Sequence, residues 1–249
     1  MIFNTIRNSF RLGITMKFNK TSLFVGIACS VLSLNVLAAS DTATLSVAGE
    51  ISPGSCTPSL DGGGVVDYGH IDANTLTAVA PAANMLPTKT VSITITCQAA
   101  TRVAYSTFDN RHPSTVQFDL TDAGIDGSVV DTNSSHFGLG YTAAHVPIGD
   151  YAIAMPVTAT ADGKSVDVLA TEDNALDNWA PHANGIALTG DSPYVRYFTV
   201  GATGTNEPLA FTTVVIPMKI STGVQAASVL GTTDQVKLDG NTTFSLTYL

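Results

Sequence analysis

An all-β sandwich is the fold class that this sequence predicts, and three observations carry it. The chain is rich in Thr, Ser, Val, Ala and Gly, and only 12% of its residues are charged. Its apolar residues recur at every second position in short runs, the spacing that buries one face of a strand. Gly, Pro, Asn and Asp separate these runs, as turns separate antiparallel strands.

The stretch from Met16, "MKFNKTSLFVGIACSVLSLNVLAAS", has a basic start, an apolar run and a small-residue cleavage site, so residues 1–38 read as a secretory signal. A functional start at Met16 gives it ordinary length, and cleavage is expected after Ala38 or Ala39. Gly26 stands where a lipobox has Leu, so Cys29 is read as part of the signal rather than as a lipidation site. Removing Arg7, Arg11, Lys17 and Lys20 with the signal takes the net charge from -9 to -13. So acidic a chain repels phosphate backbones, which argues against a nucleic-acid partner. No later apolar run reaches membrane-spanning length. Cys56 and Cys97 are then the two cysteines left, and in an exported chain an even pair reads as one disulfide, worth roughly 4 kcal/mol on a chain-entropy basis. The rival reading, a metal site, finds no histidine near either sulfur.

In chain order, "ATLSVAGEISPGSC" (43–56) alternates through Ala43, Leu45, Val47, Gly49 and Ile51. "VVDYGHI" (65–71) reads as a strand entered through the turn "DGGG", and 74–89, with two prolines, as an irregular crossover. "TVSITITC" turns Val91, Ile93, Ile95 and Cys97 inward. Further strands are expected at "RVAYSTF" (102), "VQFDL" (116), "FGLGYT" (137), "DYAIAMPVTAT" (150), "SVDVLA" (165), "YVRYFTV" (194) and "FTTVVIPMKI" (211). Pro217 places the last of these at an edge or a bulge. One helical turn is expected in 171–185, before Pro181. The closing run "VKLDGNTTFSLTYL" alternates from Val236 to Tyr248, enough for a strand of roughly 40 Å.

Catalytic groupings are not found. His70, His112, His136, His145 and His182 are scattered singly and read as surface or loop residues, with no zinc-binding spacing. Ser192 in "GDS" lacks a nucleophile elbow and is read as part of a turn. Asp119, Asp122, Asp126 and Asp131 cluster without the spacing of a calcium loop. The expectation is a protein that is not an enzyme, with no cofactor and no metal. Trp179, the single tryptophan, is a candidate floor for a sugar in a ligand loop, against the plainer reading of a buried anchor.

The order of these features resembles the pilin subunits of the bacterial chaperone-usher pathway. The matching elements are "TLSVAGEI", "SPGSC", "VDYGHI", "VSITITC" and a terminal alternating strand with penultimate Tyr248. "CTPSLDGGGVVDYGHI" and "FGLGYTAAHVPIGDYAI" look like a family of secreted proteins associated with such fimbrial systems. The resemblance lies in residues 40–97 and 230–249. It implies an immunoglobulin-like, pilin-type sandwich over 52–249 that lacks its final strand and is completed by a donor strand. Residues 39–51 would be the N-terminal donor extension, with Ala43, Leu45, Val47, Gly49 and Ile51 entering a neighbour's pockets. Phe244, Leu246, Tyr248 and Leu249 would form the edge gripped by a periplasmic chaperone, and Cys56–Cys97 would tie neighbouring strands.

Two features depart from that pattern. Gly240 lies nearer the C-terminus than the usual pilin glycine, and the middle of the chain, around 105–205, is enlarged. The leading expectation is a structural fimbrial subunit, exported through the periplasm to the cell surface, whose partners are the chaperone, the outer-membrane usher and neighbouring subunits. An adhesin-like subunit binding a host glycan or protein, and a secreted monomer that fills its own groove, are the next two readings, and a secreted hydrolase ranks last.

Overall fold

The computed structural model describes residues 43–49, 54–191, 193, 195–231 and 235–249. The chain divides into two units, Met1–Glu50 and Ile51–Leu249. In the first, residues 43–49 take no regular secondary structure, and Leu45 and Val47 are 91% and 92% exposed.

The second unit is all-β. Its strands are β1 (Cys56–Leu60), β2 (Asn84–Met85), β3 (Lys89–Thr101), β4 (Val103–Asp109), β5 (Phe137–Gly138) and β6 (Gly149–Ala154). They continue with β7 (Thr158–Ala161), β8 (Lys164–Thr171), β9 (Ala180–Pro181), β10 (Tyr197–Gly201), β11 (Phe211–Val224) and β12 (Thr242–Tyr248). The one α-helical turn among the described residues, α1 (Ala227–Leu230), ends at Gly231 in the left-handed conformation that glycine adopts without strain. One antiparallel path, β1-β3-β11-β7-β8-β10-β4-β12, rolls around a common core, with β2, β5, β6 and β9 joined at its flanks. The enlarged middle of the chain is built into this sheet, because β7, β8 and β10 are interior members of the path.

Alternation places the core. In β3, Val91, Ile93, Ile95 and Cys97 are buried and meet Val214, Ile216, Met218 and Ile220 of β11. Most of β11 is interior, contrary to the edge or bulge expected from Pro217. Thr222 accepts from Leu86 N–H at 2.8 Å on the β2/β3 side, so even-numbered peptide groups of β11 face that way and odd-numbered ones face β7 and β6. Pro217 therefore points into the gap between β7, which pairs with Val214 and Val215, and β6, which pairs from Lys219 onward. Its missing N–H costs no ladder bond there.

A second apolar layer covers the outer face of β6. Phe118, Leu120, Ala123 and Val130 pack with Ala152, Ala154 and Ile186, so every residue of β6 is buried. A third, smaller cluster joins Trp179 to Ala104 and Leu169.

Several sequence expectations change. Residues 65–71 carry no ladder, although Val66 and Tyr68 turn toward the core and Asp67 away from it. At 116–120 there are only isolated bridges, Ala82–Asp119 and Leu120–Val130, because Gln117 has φ 67°, outside strand geometry. The 171–185 stretch forms a turn, closed by Leu176 N–H to Asp173 C=O, in place of the expected helical turn. The last strand is seven residues long, about 23 Å, in place of roughly 40 Å. Its partner β4 ends at Asp109, and Asp239 N–H instead bonds Leu139 C=O at 2.9 Å.

Candidate functional site

The two ends of the strand path, β1 and β12, come together without forming a ladder. At one end of this seam the Cys56 N–H donates to the Tyr248 hydroxyl at 2.8 Å. Register shows which side chains face inward, since directly paired residues share a face of the sheet. Cys56, Pro58 and Leu60 pair with Cys97, Ile95 and Ile93, all buried. Phe244, Leu246 and Tyr248 pair with Thr107, Tyr105 and Val103, also buried. Yet Cys56, Leu60, Phe244 and Leu246 are only half-buried, Pro58 is exposed and Tyr248 is 49% exposed, whereas Ile95, Tyr105 and Val103 are each 1% exposed. The core is therefore under-covered along one line, and that line runs beside two unpaired strand edges.

The expected strands at 65–71 and 236–241 continue these two borders. On one, Val66 and Tyr68 lean on the core. On the other, Val236 and Leu238 do so, alternating with exposed Lys237 and Asp239, and neither border has a ladder of its own. Gly240 is required from the inside, because a Cβ there would lie 2.9 Å from the Tyr151 ring. Leu249 N–H closes the chain onto Arg102 C=O at 3.1 Å.

The Cys56–Cys97 disulfide is present and links directly opposed residues of β1 and β3. Of the alternating N-terminal residues, Ala43, Leu45, Val47 and Gly49 are exposed, and a Cβ on Gly49 would have open space for 4 Å. Ile51 lies outside the described residues, as does Ser192.

Trp179 is the buried anchor rather than a sugar platform: it is 5% exposed and its Nε1–H donates to Leu176 C=O at 2.8 Å. Beside it, Glu172, Asp173, Asn178, His182 and Arg196 line a cleft. Burial, and then the Arg196 guanidinium, hold the His182 imidazole below its usual pKa. Below about pH 6.5 the unfolded chain then binds the proton better than the folded one, so stability falls as pH drops from that point to the depressed value. Urea midpoints at about pH 7.5 and about pH 5.5 should show this decline, reduced in His182→Gln; an equal decline in the variant assigns it elsewhere. Of the acidic residues 119–131, Asp122 pairs with Lys219 Nζ at 3.1 Å and Asp126 accepts from Ser128 N–H at 3.0 Å. Among the described residues no group of three His, Cys, Asp or Glu is placed to hold a metal ion.

Sequence reasoning missed a buried polar cluster. His136, expected at the surface, is fully buried, as is Asp150, and His136 Nδ1 lies 3.1 Å from Asp150 Oδ2. Asp150 also accepts from the backbone N–H groups of Val116, Gln117 and Phe118 at 2.7, 2.5 and 3.1 Å. The available signal was a charge embedded in the apolar run 148–155, "IGDYAIAM".

Residues 45–152 match a family described as "Protein of unknown function (DUF1120)". Over 94% of its length the chain is 33% identical to Protein GltF of Escherichia coli (strain K12), of which it covers 99%. The chain belongs to the DUF1120 family. It is also 27% identical to the uncharacterized protein YhcF of Escherichia coli (strain K12), with 85% of this chain and 92% of that one covered. The DUF1120 match takes in β1, the disulfide and the whole Asp150 cluster, and it ends within β6.

Proposed function

We propose that this chain is a structural subunit of a bacterial surface fimbria, which accepts a strand from a neighbouring subunit in the β1–β12 seam and offers residues 43–51 to the next. The observation that carries this reading is the partial exposure of inward-facing Pro58, Phe244, Leu246 and Tyr248 opposite fully buried ladder partners. A strand laid in the seam would pair two free edges and cover apolar side chains, which is β-augmentation. Residues 43–51 have the composition of such a strand, since Leu45, Val47 and Ile51 each gain about 1.5–3 kcal/mol on full burial, and Gly49 fits where a pocket is shallow. Because such a seam invites aggregation before it is filled, the reading includes a periplasmic chaperone that lends a strand first and an outer-membrane usher that exchanges it.

Two variants test the assignment. Deleting residues 39–50 should leave a subunit that folds with its chaperone but does not polymerise. Loss of the truncated chain's own stability would show instead that the segment fills its own seam. Gly49→Leu overfills the shallow pocket and should slow polymerisation at least about tenfold. Polymers forming at the unaltered rate would remove Gly49 from the pocket role.

A further inference from the structure

At the β4 exit, beside the 236–241 border of the seam, three chain segments flank an open cavity of about 420 Å³ lined by Asn110, Arg111, Pro113, Gly140, Tyr141 and Asp239. Its volume falls within the range of small-molecule clefts, about 300–1,000 Å³. The walls are cross-bonded before any ligand arrives. Arg111 N–H donates to buried Asp109 at 2.8 Å, Asn110 N–H to Asn241 C=O at 3.0 Å, and Gly140 N–H to Ser114 Oγ at 2.8 Å. The Tyr141 hydroxyl donates to Pro113 C=O, and its ring stacks on His145 at 4.1 Å and 12°, which fixes the ring plane. Gly140, at φ 82°, leaves room that a side chain would take from Asp239, since a Cβ would lie 3.1 Å from the Asp239 Cβ.

The functional groups on these walls are of both hydrogen-bonding kinds. Arg111 binds Asp239 through Nε at 3.0 Å and Nη2 at 2.8 Å, both to Oδ2, and Nε also reaches Asp239 C=O. Asn110 Nδ2 donates to Asn241 Oδ1 at 2.6 Å and Thr243 Oγ1 at 2.8 Å. Among the described residues this leaves Arg111 Nη1 as a donor, and Asp239 Oδ1 and Asn110 Oδ1 as acceptors, without partners. The ion pair cancels its own charge, so neither a free anion nor a free cation is favoured. Hydroxyl groups are what this set complements, because each donates and accepts at once. The Tyr141 ring adds a flat apolar surface of the kind that packs on the C–H face of a pyranose.

We propose that this cavity binds a neutral sugar, with two neighbouring hydroxyls bridging Arg111 and Asp239 and the sugar ring resting on Tyr141. The proposal needs no strand exchange and stands or falls apart from the fimbrial reading. The test is an NMR titration of the isotope-labelled secreted chain with methyl glycosides of galactose, mannose, glucose and N-acetylglucosamine, alongside the free sugars. Saturable shifts at Tyr141, His145 and the Arg111 side chain are expected with at least one of them. Binding of glycosides points to a glycan end as the source, and binding of the free sugars alone to a soluble saccharide. Asp239→Asn, which keeps the side-chain shape, should weaken binding at least about tenfold while leaving amide shifts elsewhere in place. The proposal is overturned by the absence of saturable shifts at these residues at about 50 mM of every sugar. It is equally overturned by unaltered affinity in Asp239→Asn, or by inorganic phosphate moving the same signals more strongly.

Discussion

Replacing Asp150 with alanine is expected to destabilise the fold by about 3–5 kcal/mol, the cost of breaking a buried charged hydrogen-bond cluster from one side. The carboxylate holds three consecutive backbone N–H groups, those of Val116, Gln117 and Phe118, together with His136 Nδ1, in a site with no solvent exposure of either side chain. Removing it leaves the buried His136 Nδ1 and Phe118 N–H, and the part-buried Val116 and Gln117 N–H groups, without their acceptor, and a buried donor left so costs about 1–3 kcal/mol. The damage should spread along the chain. Gln117 at φ 67° is positioned by these bonds, and Phe118 next to it anchors the layer over β6. Asp150→Asn retains one acceptor oxygen and should lose less. Urea unfolding of the wild type and both variants makes the comparison, and a midpoint for Asp150→Ala within about 1 kcal/mol of wild type would remove the cluster from the stability account.

The second large effect is expected at the disulfide. Changing both Cys56 and Cys97 to alanine releases a covalent loop with a sequence separation of 41 and should cost about 4 kcal/mol. The loss is local as well as global, because β1 is five residues long and has one ladder partner, β3. With the bond absent, amides of residues 56–60 should exchange with solvent faster than those of β3 residues 91–95, by a wider margin than in wild type. The Tyr248–Cys56 hydrogen bond across the end of the seam should go with them. Should β1 amides keep their protection in the double variant, pairing with β3 alone holds the strand.

How far the sequence could be read follows from which forces act locally. The 91–97 alternation was legible because one face meets the core and the other does not, and period two records that difference directly. The run at 65–71 was misread as a strand for a related reason: Val66 and Tyr68 do face the core, but a ladder needs a partner, and pairing is not written in a single segment. β6 hid its role because Ala152 and Ala154 are covered by Phe118 and Leu120 from a distant loop, which erases the alternation. His136 and Asp150 were missed because what makes them a pair is the docking of β5 on β6, with residues 116–118 folded over the same carboxylate. Tyr248 and Cys56, 192 residues apart, meet only once the sheet has rolled up.

The layers over β6 and over β8 set how many neighbours this molecule can engage through its backbone. Where Phe118 and Trp179 clothe the sheet, its broad faces offer nothing flat for another sheet to stack on. The two-residue strands β2, β5 and β9 are too short to template a partner. Among the described residues, β1 and β12 bound one seam of useful length, so on the proposed reading the molecule would accept a single strand. Association of the proposed kind would then add units in a line without branching.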